Sequence, residues 1–257
     1  MSAPLLEARQ LRVEIEGHTV VDRMNLLLEP GQRLAILGRN GAGKSTLLTT
    51  LAGLRAPAAG AVMLDGEDAT LLAPRQAALR RAWLGQFQQD PFGSTVLETA
   101  LAGRHPHLGR WDWESPRDTD LARHALDAVG LRDMASRQVH TLSGGERQRL
   151  AIATLLTQAA PLYLLDEPLS HLDLNHQMAV LELFAGLARR ERVGVIMVLH
   201  DPALAHRFCD HALLVYGDGR TEQGTVDTLL TAKTLSELYG YALRQIDDRG
   251  QRCFIPE

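Results

Sequence analysis

The run Gly38-Arg39-Asn40-Gly41-Ala42-Gly43-Lys44-Ser45 fits the pattern G-x-x-x-x-G-K-[ST] without a mismatch, and Thr46 follows it. Glycines in this pattern let backbone N–H groups wrap phosphate oxygens, and the helix that follows turns its positive end toward them. Lys44 is then placed to reach the β- and γ-phosphates of a nucleotide. The Ser45 hydroxyl is placed to coordinate Mg2+, with Thr46 beside it. A second candidate is Asp166-Glu167, which closes the apolar run Pro161–Leu165. The first carboxylate of such a pair holds Mg2+, usually through water, and the second polarises an attacking water as general base. A third is Ser143-Gly144-Gly145, ahead of the helical stretch RQRLAIATLLTQ. A serine hydroxyl and glycine amides at a helix start make an anion site. The same residues with Glu146 also fit the chemistry of a plain helix cap. His200 ends another apolar run and is placed to donate a hydrogen bond to a γ-phosphate and help position the water.

These groups need a scaffold that brings distant segments to one edge. Arg33–Leu37, Pro161–Leu165 and Val195–Leu199 are continuous apolar runs, and each ends at one of the polar groups just named. Runs of this kind belong in a parallel sheet covered on both faces. In such sheets ligands sit at the carboxyl ends of the strands. Residues 3–30 and 59–68 alternate more and carry the turn pairs Glu16-Gly17 and Asp65-Gly66, which predicts an antiparallel flank. Residues from about 87 to 145 read as mostly helical. Leu121–Leu131 has helical spacing, and Trp111–Asp118 reads as the loop that enters that helix. With no internal repeat or clear linker, the expectation is one unit over 1–257.

Composition narrows the classes. The chain has 257 residues, 45% hydrophobic but only 5% aromatic, so its core is aliphatic. A net charge of −4 leaves no nucleic-acid footprint, and no nucleic-acid partner is expected. Cys209 and Cys253 stand in unrelated contexts, which suits a reducing cytosol and offers neither a disulfide framework nor a metal site. No signal-length apolar run opens the chain, and no stretch reaches the ~18–20 apolar residues of a membrane span. Any membrane role is expected to come through a partner.

Taken together, the chain resembles the nucleotide-binding subunit of ATP-binding-cassette transporters over almost its whole length. LSGGERQR, Leu142–Arg149, is similar to that family's signature sequence, and Ser170-His171-Leu172-Asp173 after DEP to its D-loop. Gln86 falls where the family has its Q-loop, at the end of the run Ala82–Leu84, and His200 where it has its switch histidine. The resemblance implies an α/β fold: a P-loop NTPase core with a mainly parallel sheet, an antiparallel β flank and an inserted helical subdomain. It implies ATP and Mg2+, with Gln86 joining Ser45 and Asp166 around the metal and joining Glu167 and His200 in catalysis. It also implies a head-to-tail dimer in which Ser143, Gly144 and Gly145 cover the γ-phosphate held by a second copy. Two transmembrane permease subunits and, indirectly, a substrate-binding protein complete the expected assembly, on the cytoplasmic face of the membrane.

One position departs from the pattern. The family places an aromatic residue upstream of the phosphate loop to stack on adenine, and this chain has Ile15 there, with His18 as another candidate. Isoleucine packs on a base without offering a π-face. The stretch Gly103-Arg104-His105-Pro106-His107 and the tail with Gly224 and Leu238-Tyr239-Gly240 are similar to importers of siderophores, haem and cobalamin. The core motifs do not encode direction, so an exporter ATPase is an alternative, as is a soluble non-transport ATPase of the same family.

Overall fold

The computed structural model describes residues 3–85, 93–109 and 111–257. The chain opens with two long strands, β1 (Leu6–Ile15) and β2 (His18–Leu28), joined at Glu16-Gly17. Both turn residues have positive φ, 48° and 84°. That is the backbone of a two-residue primed turn, whose twist matches the strands it joins. β4 (Ala59–Leu64) and the short β5 (Glu67–Asp68) complete an antiparallel sheet in the order β2-β1-β4-β5. The flank expected over residues 3–30 and 59–68 is this sheet.

The larger sheet contains β3 (Arg33–Gly38), β6 (Ala82–Leu84), β7 (Leu162–Leu165), β8 (Gly194–Val198), β9 (His211–Val215) and β10 (Thr221–Thr225). Its order is β10-β9-β3-β8-β7-β6. Every pair from β9 to β6 is parallel, and only β10 runs antiparallel. Alternating side chains divide the core in two. Leu34, Ile36, Leu164, Ile196, Val198 and Leu213 pack with the antiparallel sheet and with Leu47, Leu48 and Leu51 of α1 (Lys44–Leu51). Ala35, Leu37, Leu165, Val195, Met197 and Leu214 face the other helices. Both faces are covered, which is why the strands read as unbroken apolar runs. The structure adds β6 and β9 to the three parallel strands expected, and β10 as an antiparallel edge.

The helical layer holds α2 (Pro74–Arg80), α3 (Val96–Leu101), α4 (Pro116–Ala128), α5 (Gly144–Gln158) and α6 (Leu174–Glu191). It continues with α7 (Pro202–Phe208), α8 (Val226–Leu229) and α9 (Ala232–Tyr239), followed by the hairpin β11 (Leu243–Asp248) and β12 (Gln251–Pro256). α3 and α4 pack on each other and on α5. Each begins with a reciprocal cap: Thr95 with Glu98, Ser115 with Asp118, Ser143 with Glu146. Such caps satisfy two of the orphan N–H groups of a first turn. The entry loop expected over Trp111–Asp118 covers only Trp111–Ser115: Ser115 caps α4, which starts at Pro116, so Pro116–Asp118 belong to the helix and it begins ahead of Leu121. No helix among the described residues is long and apolar enough to cross a membrane.

Candidate functional site

The groups singled out by sequence collect at the carboxyl ends of adjacent strands. β3 delivers Gly38 and the loop through Gly43, β8 delivers His200, and β7 delivers Asp166 and Glu167. Within the loop, Gly41 and Gly43 have φ of 80° and 86°. At Gly43 only glycine serves: a β-carbon there also lies 2.3 Å from Cγ1 of Val20 in β2. The β1–β2 hairpin is therefore pressed against the loop where α1 begins. Gly43 caps α1 without a side-chain bond, so the helix presents its first N–H groups as donors. Ala42 is buried, its amide closing on the Arg39 carbonyl at 3.2 Å, while Arg39, Asn40 and Gly41 face solvent. Thr46 lies half-buried in the first turn of α1.

Lys44 is 6% exposed, and its Nζ donates to the carbonyls of Gly38 and Arg39, each at 2.9 Å. Burial pushes its pKa down, while the charges of Glu167 and Asp166 pull it back up. Ser45 Oγ donates to Asp166 Oδ1 at 3.0 Å, joining the hydroxyl and carboxylate expected to share Mg2+. Asp166 is buried, and burial raises its pKa above the usual carboxylate range; the Ser45 bond opposes this and the neighbouring Glu167 charge adds to it. A part-buried hydroxyl–carboxylate pair beside a second carboxylate is an oxygen donor set that suits a hard divalent cation.

Glu167 Oε1 lies 2.9 Å from His200 Nε2, and its Oε2 lies 3.4 Å from the Ser170 hydroxyl that donates to it. Glu167 has φ of +50°. A non-glycine residue in that region costs about 1–2 kcal/mol, a cost carried where the chain turns off the strand end and aims this carboxylate. His200, Glu167, Ser170, Gln177 and Leu204 line a cavity of about 220 Å3.

Ser143, Gly144 and Gly145 begin α5, as expected. The Ser143 hydroxyl accepts from Glu146 N at 3.3 Å, and Glu146 Oε2 accepts from Ser143 N at 2.7 Å. The anion-site reading and the helix-cap reading thus occupy one geometry. A β-carbon on Gly145 would meet the His171 carbonyl at 2.9 Å, so this motif is built against the segment after Pro168. Ile15 ends β1, half-buried, paired with His18 across the hairpin and packed on the core between the sheets. Gln86 lies outside the described residues; the last described position on that segment is Gly85.

Sequence spacing misses three supports. Gly217, in the turn between β9 and β10, backs the phosphate loop: its β-carbon would lie 3.2 Å from Ala42 Cα. Ser170 steadies Glu167. The GRHPH stretch forms a 3-10 helix, Ala102–His107, in which Gly103 is buried and Arg104 half-buried while His105 and His107 are exposed. Gly103 lies so close to α5 that a β-carbon would meet the Thr154 carbonyl at 2.2 Å. Arg104 pairs with Asp118 at 2.7 Å, and His107 Nε2 lies 2.7 Å from the Gln158 carbonyl. The apolar run ALLV at 212–215 is the one local signal that locates β9 and, through it, the Gly217 turn.

Comparison with known proteins agrees with this geometry. The family model for ABC transporters matches residues 21–170. The cobalamin import ATP-binding protein of Halobacterium salinarum is 40% identical over 231 residues, covering 90% of this chain but 57% of that protein. The ferric enterobactin transport ATP-binding protein of Escherichia coli K12 is 37% identical over 250 residues, covering 96% of this chain and 91% of that one. Among solved structures, one described as an inward-facing conformation of a putative metal-chelate type ABC transporter superposes with a TM-score of 0.85 at 29% identity, over 99% of this chain and 98% of that one. The chain belongs to the ABC transporter family, as an ATP-binding member.

Proposed function

We propose that this chain is the ATP-hydrolysing subunit of an importer of metal chelates, such as a siderophore, haem or cobalamin. The observation that carries the catalytic part is the Glu167–His200 pair, held beside the Ser45–Asp166 pair at the ends of adjacent strands. Lys44 and the α1 amides bind the nucleotide phosphates. Ser45 and Asp166, with Gln86, hold Mg2+. When bound, Mg2+ neutralises charge that builds on the transferred phosphoryl group. Glu167 takes a proton from the attacking water, and His200, which holds Glu167 through Nε2 in this structure, would turn that N–H to the γ-phosphate when nucleotide is bound. Ile15 supplies an apolar surface on the base side.

Each chain carries two anion sites, at Gly43–Lys44 and at Ser143–Gly145. In the proposed dimer the second closes over the first of a partner copy. ATP then draws two copies together head to tail, and hydrolysis releases them. The cycle is transmitted to two permease subunits on the cytoplasmic side of the membrane, which take cargo from a substrate-binding protein. The division of the chain into a core with an inserted helical unit over about 87–145 belongs to the same proposal.

Reconstitution with the cognate permease and binding protein tests this reading. Chelate-loaded binding protein should stimulate ATP hydrolysis and uptake. Stimulation only by a sugar, amino-acid or oxyanion load, or outward movement of substrate, would overturn it.

A further inference from the structure

The helix nearest the phosphate loop on the tail side is α9. Its last turn ends at Gly240 with φ of +68°, in the left-handed conformation that closes helices. A β-carbon built on Gly240 would lie 3.5 Å from Arg39 Nη1. The exposed Arg39 guanidinium therefore sits at the C-terminus of α9, where the helix carries partial negative charge. The backbone of the same Arg39 holds the site together. Its carbonyl is one of the two that accept from Lys44 Nζ, and it also accepts from the Ala42 amide.

A second connection runs from the same last turn of α9. Glu237 pairs with Arg220 at 2.5 Å. Arg220 lies over the Tyr216 ring, 4.1 Å from its centroid, in the β9–β10 turn whose Gly217 backs Ala42. α9 itself is well anchored: Leu235 and Leu238 are buried, and Ser236 Oγ accepts from Leu243 N at 2.8 Å. Tyr239 is half-buried; burial pushes its hydroxyl up to about 12, and the charge of Asp201, the residue after His200, adds to this.

We propose that α9 is a positioning element for nucleotide binding. Its C-terminus holds the Arg39 side chain, and through Arg39 it fixes the carbonyl that places Lys44. Glu237 and Arg220 hold the β9–β10 turn whose Gly217 backs Ala42. This deepens the ATPase reading and rests on it. Without α9 in register the phosphate loop still forms but visits other arrangements, so affinity falls while the chemistry of bound ATP is kept.

The test uses the full-length chain, with equilibrium binding of ATP, steady-state hydrolysis and thermal melting on each variant. Gly240→Val is strained at this φ and pushes the guanidinium away. It should raise the Kd for ATP about fivefold, equivalent to about 1 kcal/mol, with kcat at saturating ATP changed less than about twofold. Arg39→Gln should likewise raise the Kd for ATP, and Arg39→Lys should recover most of the affinity by restoring the charge. In an Arg39→Gln background Gly240→Val should add nothing, because one route has already been removed. Wild-type affinity in folded Gly240→Val, or effects that multiply in the double variant, overturns the proposal. If Gly240→Val does not fold, Arg39→Gln and Arg39→Lys decide: equal affinities in the two overturn it. Lys44→Ala tests the underlying reading separately. Unimpaired ATP binding in Lys44→Ala sinks the phosphate-loop assignment itself, whereas lost binding there with normal binding in Gly240→Val and Arg39→Gln sinks only the role of α9.

Discussion

Glu167 Oε1 and His200 Nε2 lie 2.9 Å apart, across the carboxyl ends of the neighbouring strands β7 and β8. The pair sits at the rim of the site: the histidine side chain is 49% exposed and the carboxylate 20%. A general base has to be aimed as well as charged. Here the histidine fixes one oxygen, Ser170 approaches the other, and the left-handed backbone at Glu167 sets the direction of departure from the strand.

Glu167→Gln keeps size and hydrogen-bonding capacity while removing the base. Hydrolysis should fall by about 10²–10⁴-fold, the range for loss of a general base, with ATP binding preserved and a long-lived ATP-bound dimer. Single-turnover hydrolysis and size-exclusion chromatography with ATP measure both. Near-normal turnover would remove Glu167 from that role.

The double use of Ser143 shapes the dimer test. Truncating it would lose a helix cap as well as an anion contact, at a cost of about 1 kcal/mol for the cap alone. Ser143→Asp separates the two, because aspartate caps as well as serine but repels a phosphate. Melting temperature should stay near wild type while hydrolysis is lost, and ATP should still bind the monomer. Wild-type turnover in Ser143→Asp, or hydrolysis per chain that is independent of concentration, would refute the composite site.

How much of this was legible from sequence differs by element. The phosphate loop, Asp166, Glu167 and His200 all end apolar runs, so strand continuity and a change to polar residues locate them at one edge of a sheet. Ser143 was ambiguous for a physical reason: a helix N-terminus that binds an anion and one that caps itself use the same serine. The GRHPH stretch shows the limit. Its reading as a subdomain loop similar to those of chelate importers says nothing of its internal work. Arg104 finds Asp118, and His107 finds the Gln158 carbonyl, across 14 and 51 residues that local spacing does not connect. The Arg39–Gly240 approach joins a motif to the tail and carries no pattern at all.

The Arg104–Asp118 pair should set the acid stability of the helical unit. Both side chains are nearly buried, 12% and 11% exposed. Hydrogen bonds from Ser115, then the Arg104 guanidinium, hold Asp118 at about 2, below its ordinary 3.8. A depressed folded-state pKa means that the stabilisation is in place above 3.8 and is lost as pH falls toward about 2. Asp118→Asn should therefore lower stability at neutral pH and flatten the acid limb of a melting-temperature profile. Arg104→Ala should lower stability less than removing the carboxylate does, because Asp118 keeps its hydrogen bonds from Ser115 N and Oγ. An acid limb unchanged in Asp118→Asn would place the controlling carboxylate elsewhere.

Base discrimination is the prediction in which this chain departs from its family's pattern. Ile15 ends β1 beside the hairpin that presses Val20 against Gly43, so the hairpin tip lies on the approach to α1. Ile15 is half-buried in the inter-sheet core, and an aliphatic side chain there offers contact area without an aromatic face. An aromatic stack on a base contributes about 1–3 kcal/mol in comparable sites. GTP should therefore compete appreciably with ATP in the wild-type chain, since phosphate contacts common to both dominate binding. Ile15→Tyr should tighten ATP binding by about tenfold, near the low end of that range, and should leave kcat little changed because the hairpin does not touch the Glu167–His200 pair. Exposed His18 on the same turn provides the control: His18→Ala should leave the ATP-to-GTP ratio of Kd values unaltered. A strong preference for ATP in the wild type that survives Ile15→Tyr unchanged, and disappears in His18→Ala, would move the base-stacking role from Ile15 to His18.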